Sequence, residues 1–331
     1  MLPESARSSD TPWSMATTSL HGPADTADAG YRHPQYAEAF SEFGSPVFLP
    51  HCRGWVLRRR VPGSDRDDAT GCYPIFACER WDVLCEDVQS LSSDLVSLTI
   101  VTDPFATIGL DSLRSCFDTV VPFKEHFIVD LRQRAAAPVS RHHRRYAARA
   151  LRVLDIERCE TPLAFLDDWA ALFGVLVRKH RLAGMRAFSR DSFARQLAVP
   201  GMVMFRASHE RVTVGLHLWY AQDDLAYAHL GATSAEGRAM MASYGLYAAA
   251  IDWFTPRTHW LSLGGAAGTS RADEDGLTFF KRGWSTGSRP VYVCGRVLDA
   301  ATYAKLAATA GGGEDYYFPS YRRGEFDQAG E

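Results

Sequence analysis

The chain has 331 residues, 46% of them hydrophobic, and a formal net charge of −3. That is apolar material for two domains or one large one, and the slight negative charge gives no global attraction to nucleic acid or an anionic membrane. Seven cysteines with no Cys-x-x-Cys pair point to reduced thiols in a cytoplasmic protein rather than to a zinc site.

No run approaches the roughly 20 apolar residues of a membrane span, and the N-terminus lacks the positive region and apolar core of a signal peptide. Residues 1–33 are rich in Ser, Thr, Ala, Asp, Gly and Pro and are predicted to form a disordered tail. Tyr36, Phe40 and Phe43 then recur at helical spacing. Segments 47–49 and 55–57 read as strands, a polar loop runs to Gly71, and 73–76 reads as another strand. Trp81, Leu84, Val88 and Leu91 mark one helical face. The β-branched run 95–101 is the clearest strand of the first half, ended by Asp103-Pro104. Segment 126–131 is the next strand. A basic helix with Arg141, Arg144 and Arg145 begins near Ser140, and the domain boundary is expected there: an N-terminal half over 34–139, a C-terminal domain over 140–310 and a tail over 311–331.

The second half is more regular. Thr161-Pro162 has the form of a helix start, followed by a face of Leu166, Trp169, Phe173, Leu176 and His180. Ser189 caps a further helix, which Pro200 stops. Strands are predicted over 202–207, 212–220 and 225–230. A long helix follows over 240–254, then a strand over 260–263 and a glycine-rich loop over 264–268. A short helix carries Phe279, Phe280, Lys281 and Arg282, and a return strand covers 290–294. This order suits an α+β domain with a mixed sheet and a crossover helix.

The run Phe280-Lys281-Arg282-Gly283-Trp284 resembles the Phe-Lys-x-x-aromatic motif of the Fem-type transferases. It also resembles their relatives, the CelD/BcsL-type acetyltransferases, both within the GNAT superfamily. Residues 226–232 are similar to that group's strand ending in Tyr-x-x-x-Gly-Ala, and 240–265 to its next helix and strand. The resemblance implies tandem GNAT-like halves, each a mixed twisted sheet flanked by helices, with Lys281 in an active site beside Tyr227. The implied activity is N-acyl transfer by direct attack. No bound cofactor is expected; acyl-coenzyme A is the expected co-substrate, with aminoacyl-tRNA as the alternative donor. The expected acceptor is an amine on a sugar, a cell-wall precursor or a specialised metabolite, and no DNA partner is expected. A non-catalytic ligand-binding module is the reading from another class. One departure stands out: after Gly231 the chain lacks the Arg/Gln-x-x-Gly-x-Gly/Ala loop with which ordinary GNAT enzymes hold coenzyme A.

Acyl transfer to an amine needs a base, a donor to the developing oxyanion and a route for the leaving group. His229 or His217 is the candidate base, Tyr227 a proton donor and Lys281 the fixed cation. His217, Trp219, Arg282, Trp284 and Asp275 are the candidate substrate-binding residues. His217 and Trp219 alternate on one strand, Tyr227 and His229 on the next. With an odd-length turn between the strands, all four would line one groove. No Gly-x-Ser-x-Gly, Walker A or Gly-x-Gly-x-x-Gly motif occurs.

Overall fold

The computed structural model describes residues 29–91, 94–133, 139–266, 276–309 and 317–326. The first half contains α1 (Pro34–Glu38), β1 (Ser45–Leu49), β2 (Gly54–Arg60) and β3 (Asp67–Gly71). It continues with α2 (Leu84–Ser90), β4 (Leu95–Val101), α3 (Leu110–Cys116) and β5 (Thr119–Asp130). The second half opens with α4 (Arg141–Val153), β6 (Asp155–Cys159), α5 (Leu166–His180) and α6 (Arg190–Ala198). Then come β7 (Met202–His209), β8 (Val212–Gln222), β9 (Leu225–Thr233), α7 (Ala235–Ala239) and α8 (Ala242–Phe254). β10 (Trp260–Gly264), α9 (Gly276–Arg282), β11 (Gly287–Val297) and α10 (Ala300–Thr309) complete the chain order.

The strands form one sheet in the order β1-β2-β3-β4-β11-β5-β10-β9-β8-β7-β6. Each half repeats one plan. An antiparallel meander, β1-β2-β3 or β7-β8-β9, leads through a helix to a strand parallel to its third, β4 or β10. A parallel neighbour requires such a crossover. A further helix then leads to the last strand, which is given to the other half: β5 pairs with β10 and β11 pairs with β4. The two exchanged strands pair with each other at the centre. This is an α+β fold of tandem halves, each a mixed sheet flanked by helices.

One face of the sheet is covered by α1, α5 and α6, which bury Tyr36, Phe40, Trp169 and Phe193 with Leu218, Tyr220 and Tyr227. The other face carries α4 and α8 over the second half, packing Ala150, Leu246, Ile251 and Phe254 on Phe205 and Trp219. Leu84, Val88 and Leu113 of α2 and α3 cover the first half on that side.

Several sequence expectations change. Residues 73–76 are not a strand; the third strand is β3, which is polar and held by charge, with Asp67 paired to Arg58 and Arg60. Asp68 is buried against Arg322, so the C-terminal segment expected to be a tail docks at 317–326. At the other end Tyr31 is 4% exposed inside the core, although composition placed it in the N-terminal tail; residues 1–28 lie outside the described residues. Cys85 and Cys116 form a disulfide joining α2 to α3, so not all thiols are reduced; the other five cysteines are free and buried. The Thr161-Pro162 start opens a 3-10 turn, Pro162–Phe165, before α5, and Thr161 makes no side-chain cap bond. Ser189 caps α6 as expected, accepting from the Ser192 amide.

Candidate active site

β9 and β10 stay paired for only three residues, the last pair being Tyr227 with Ser262. β9 runs on to Thr233, while β10 ends at Gly264 and leans on β5. A bulge in β9 opposite Leu218 and Trp219 adds to the divergence. Beyond Tyr227, no strand among the described residues pairs with the far edge of β9. The sheet therefore has a gap, and side chains from both faces converge on it.

Lys281 enters from α9. Phe280 and Trp284 flank it and pack on Tyr247 of α8, at ring separations of 4.8 Å and 6.1 Å. His143 of α4 bonds the Phe280 carbonyl and fills the space beside Gly283. This packing fixes the helix end. The Lys281 Nζ donates to the Gly265 carbonyl at 2.6 Å. Gly264, with φ +75°, turns the chain there, and a Cβ on it would lie 3.1 Å from that ammonium. Lys124 of β5 donates to the next carbonyl, Ala266, at 2.9 Å.

His217 stacks on Tyr247 at 4.5 Å and accepts a hydrogen bond from the Trp219 indole at Nδ1, 2.9 Å away. An indole N–H only donates, so Nδ1 carries the lone pair and the proton of the neutral ring sits on Nε2. That side of the ring abuts Gly231 on the free stretch of β9. Burial, reinforced by the Lys281 ammonium, holds the His217 pKa down to about 3. His217 is therefore a fixed N–H donor at neutral pH, not a base. His126 of β5 is likewise lowered to about 3 by burial, then by Lys281 and Lys124, and its buried Nδ1 has no hydrogen-bond partner.

On the opposite face, the Tyr227 hydroxyl donates to Asp103 at 2.7 Å, and the Phe105 amide donates to the other carboxylate oxygen at 2.8 Å. Burial raises the Asp103 pKa to about 6 against the opposing pull of these bonds and of Arg32 and Arg289. The Arg289 guanidinium lies over Phe105 and Trp260, 4.6 Å and 4.8 Å from the ring centres. His229 belongs to a closed chain of bonds. Ser192 donates to the Ala39 carbonyl and accepts from the Gln196 amide nitrogen, so the Gln196 oxygen takes the His229 Nε2–H. The remaining His229 nitrogen takes the Tyr31 hydroxyl at 3.1 Å. Burial lowers its pKa to about 3, and both nitrogens are committed within the protein.

No family model and no curated protein matches the sequence. Solved structures do match in fold. FemX overlays with a TM-score of 0.59 at 12% identity, over 82% of this chain and 93% of its own. The C-terminal domain of a lysylphosphatidylglycerol synthetase assigned in Agrobacterium fabrum gives 0.58 at 15% identity, over 84% and 91%. L-PGS from Bacillus licheniformis gives 0.53 at 14%, over 81% and 92%. The fold is GNAT-like.

Within that fold the eight sequence-predicted residues separate. The turn between β8 and β9 has two residues, Asp223 and Asp224, so the odd-turn condition fails. Trp219 pairs with Ala228 and Tyr220 with Tyr227, which puts His217 and Trp219 on one face and Tyr227 and His229 on the other. Lys281 joins His217 and Trp219. Trp284 is 3% exposed and serves to pack α9, while Arg282 lies exposed on its outer surface. Phe279, expected as a second anchor, is 53% exposed. Asp275 lies outside the described residues. Sequence reasoning missed Asp103, His126 and Lys124. Asp103-Pro104 looked only like a strand stop, and its partner Tyr227 is 124 residues away.

Proposed function

We propose that the protein is an N-acyltransferase whose reaction centre is the gap between β9 and β10. The observation that carries this is the Lys281 ammonium held at the end of β10 near a buried imidazole whose only proton is fixed on Nε2. Two preorganised donors of this kind suit an acyl oxygen that becomes negative in the transition state. The amine nitrogen attacks the acyl carbon, and the carbonyl oxygen takes the charge under Lys281 and His217. The amine's proton passes to the Tyr227 hydroxyl as Tyr227 gives its own to Asp103. The bond to the leaving sulfur or oxygen then breaks, and that atom departs with the electron pair. Asp103, with a pKa of about 6, is mostly ionised at neutral pH and able to take the proton. His229, committed on both nitrogens, builds the wall behind Tyr227.

Acyl-coenzyme A is the first donor and an amine-bearing sugar, cell-wall precursor or metabolite the acceptor. Aminoacyl-tRNA is the second donor reading, supported by α4: Arg141, Arg144, Arg145, Arg149 and Arg152 are exposed, and none forms an ion pair among the described residues. The test supplies acetyl-coenzyme A with a panel of amines and measures free thiol. Acceptor-dependent thiol release that ribonuclease does not affect supports the first donor. Ribonuclease-sensitive transfer from charged tRNA without thiol release replaces it with the second.

A further inference from the structure

The first half has its own counterpart of the gap. β3 and β4 are parallel and pair only as far as Thr70 with Thr99, as β9 and β10 pair only to Tyr227 with Ser262. Just beyond that point lies a cavity of about 370 Å³, within the size range of small-molecule pockets. Its floor crosses three strands, where Val101, Val293 and Val121 stand side by side in register. Tyr73, Phe123 and Phe318 wall it. Phe318 can lie flat on the sheet because position 295 is glycine; a Cβ there would meet its ring at 2.4 Å.

The chemistry of the lining selects its occupant. The charged side chains of the lining, Arg59 and Glu325, are paired with each other, and Arg59 also faces Asp68 at 3.7 Å. The Arg59 Nε is buried without a hydrogen-bond partner, and Thr70, Thr99 and Tyr317 bring hydroxyls, but three valines and three aromatic rings make apolar contact the main offer of the lining. A floor three strands wide, about 10 Å across, suits an elongated shape. The cavity lies near the candidate site: Val101 of its lining is two residues from Asp103, and the Tyr73 ring lies 6.5 Å from the His229 ring.

We propose that this cavity binds the hydrocarbon chain of a substrate whose reactive end lies at Asp103 and Tyr227. That the occupant is a substrate rests on the transferase reading; that the cavity takes a hydrocarbon chain does not. The chain belongs to the acyl group of the donor or to an alkyl tail on the acceptor.

The probe is 11-(dansylamino)undecanoic acid, followed by fluorescence on the full-length protein. The expected result is saturable binding with blue-shifted emission. Val293→Trp and Val121→Trp, which fill the floor, should weaken it at least about tenfold, equivalent to about 1.4 kcal/mol. Gly109→Ala, outside the lining, should leave it unchanged. Melting temperatures close to wild type show that the two tryptophan variants are folded. If they unfold, the wild-type protein alone decides by competition. Displacement that strengthens about fourfold per methylene along a series of acyl-coenzyme A esters assigns the chain to the donor. The same trend along n-alkylamines assigns it to the acceptor. No saturable binding, equal binding by folded tryptophan variants, or displacement independent of chain length in both series overturns the proposal. A hydrocarbon-selective cavity in a protein with no transfer activity would leave the cavity standing and remove the transferase reading.

Discussion

Lys281 combines a fixed position with a charge. Phe280 and Trp284 hold its helix, and its ammonium sits at the end of β10 on the Gly265 carbonyl. Lys281→Met keeps most of the stem, so the fold should persist while turnover falls at least about thirtyfold, roughly 2 kcal/mol on the barrier. Arg282→Met, on the exposed side of the same helix, should cost far less; equal losses in steady-state assays would make Lys281 an ordinary surface lysine. Asp103 supplies a second expectation. As the terminal base it should give kcat/KM an acid limb with a midpoint near its pKa of about 6. Asp103→Asn should lower activity and abolish that limb, and a limb that survives the substitution assigns the base elsewhere. These two residues also mark the limits of reading a sequence. The fixed position of Lys281 was legible because aromatic residues bracket it within five positions. Asp103 was not, because its raised pKa comes from burial and its bonding partner from a distant strand.

Elements with a clear apolar period were legible: β4, α8 and the meander of β7 to β9 lie where their patterns placed them. β3 and β6 were not, because their residues are charged and their stability comes from partners such as Arg58 and Arg206 on neighbouring strands. The faces of β8 and β9 depended on a bulge and a two-residue turn that alternation cannot reveal. The seat of α9 shows how close such packing is. A Cβ on Gly283 would fall 2.0 Å from the His143 ring, so Gly283→Ala should cost about 1–3 kcal/mol and displace Lys281. Gly109→Ala, where an added Cβ meets nothing within 4 Å, is the matched control in thermal melts. On α4, replacing Arg141, Arg144 and Arg145 with glutamine removes charge from exposed positions, at the loss of one ring contact, Arg145 over Tyr146. If this face holds phosphates, the slope of log affinity for RNA against log salt should shrink by about 2. An unchanged slope would make it a solvated helix face.

At the scale of the molecule, the exchange of β5 and β11 ties the halves into one sheet, and the candidate site depends on it: Lys124 and His126 come from the first half, Lys281 and His217 from the second. A shared sheet predicts a single unfolding event, and the buried titratable groups set its pH dependence. His126, His217 and His229 have folded pKa values lowered to about 3, against an ordinary value of 6.5. Between those limits the unfolded chain binds their protons and the folded one does not, so their contribution is present above pH 6.5 and lost as pH falls. Asp103 works in the opposite sense. Its folded pKa of about 6 exceeds the ordinary 3.8, so the folded state holds a proton that the unfolded state releases. Near pH 5 unfolding gains a proton at each of three imidazoles and loses one at a carboxyl, a net uptake of about two protons. Stability should therefore fall steeply from pH 6.5 toward pH 4, with one cooperative transition throughout. His229→Gln should shrink the proton uptake measured from urea midpoints across that range by about one. Unchanged uptake in that variant would mean that His229 is not the buried neutral imidazole that Tyr31 and Gln196 make it.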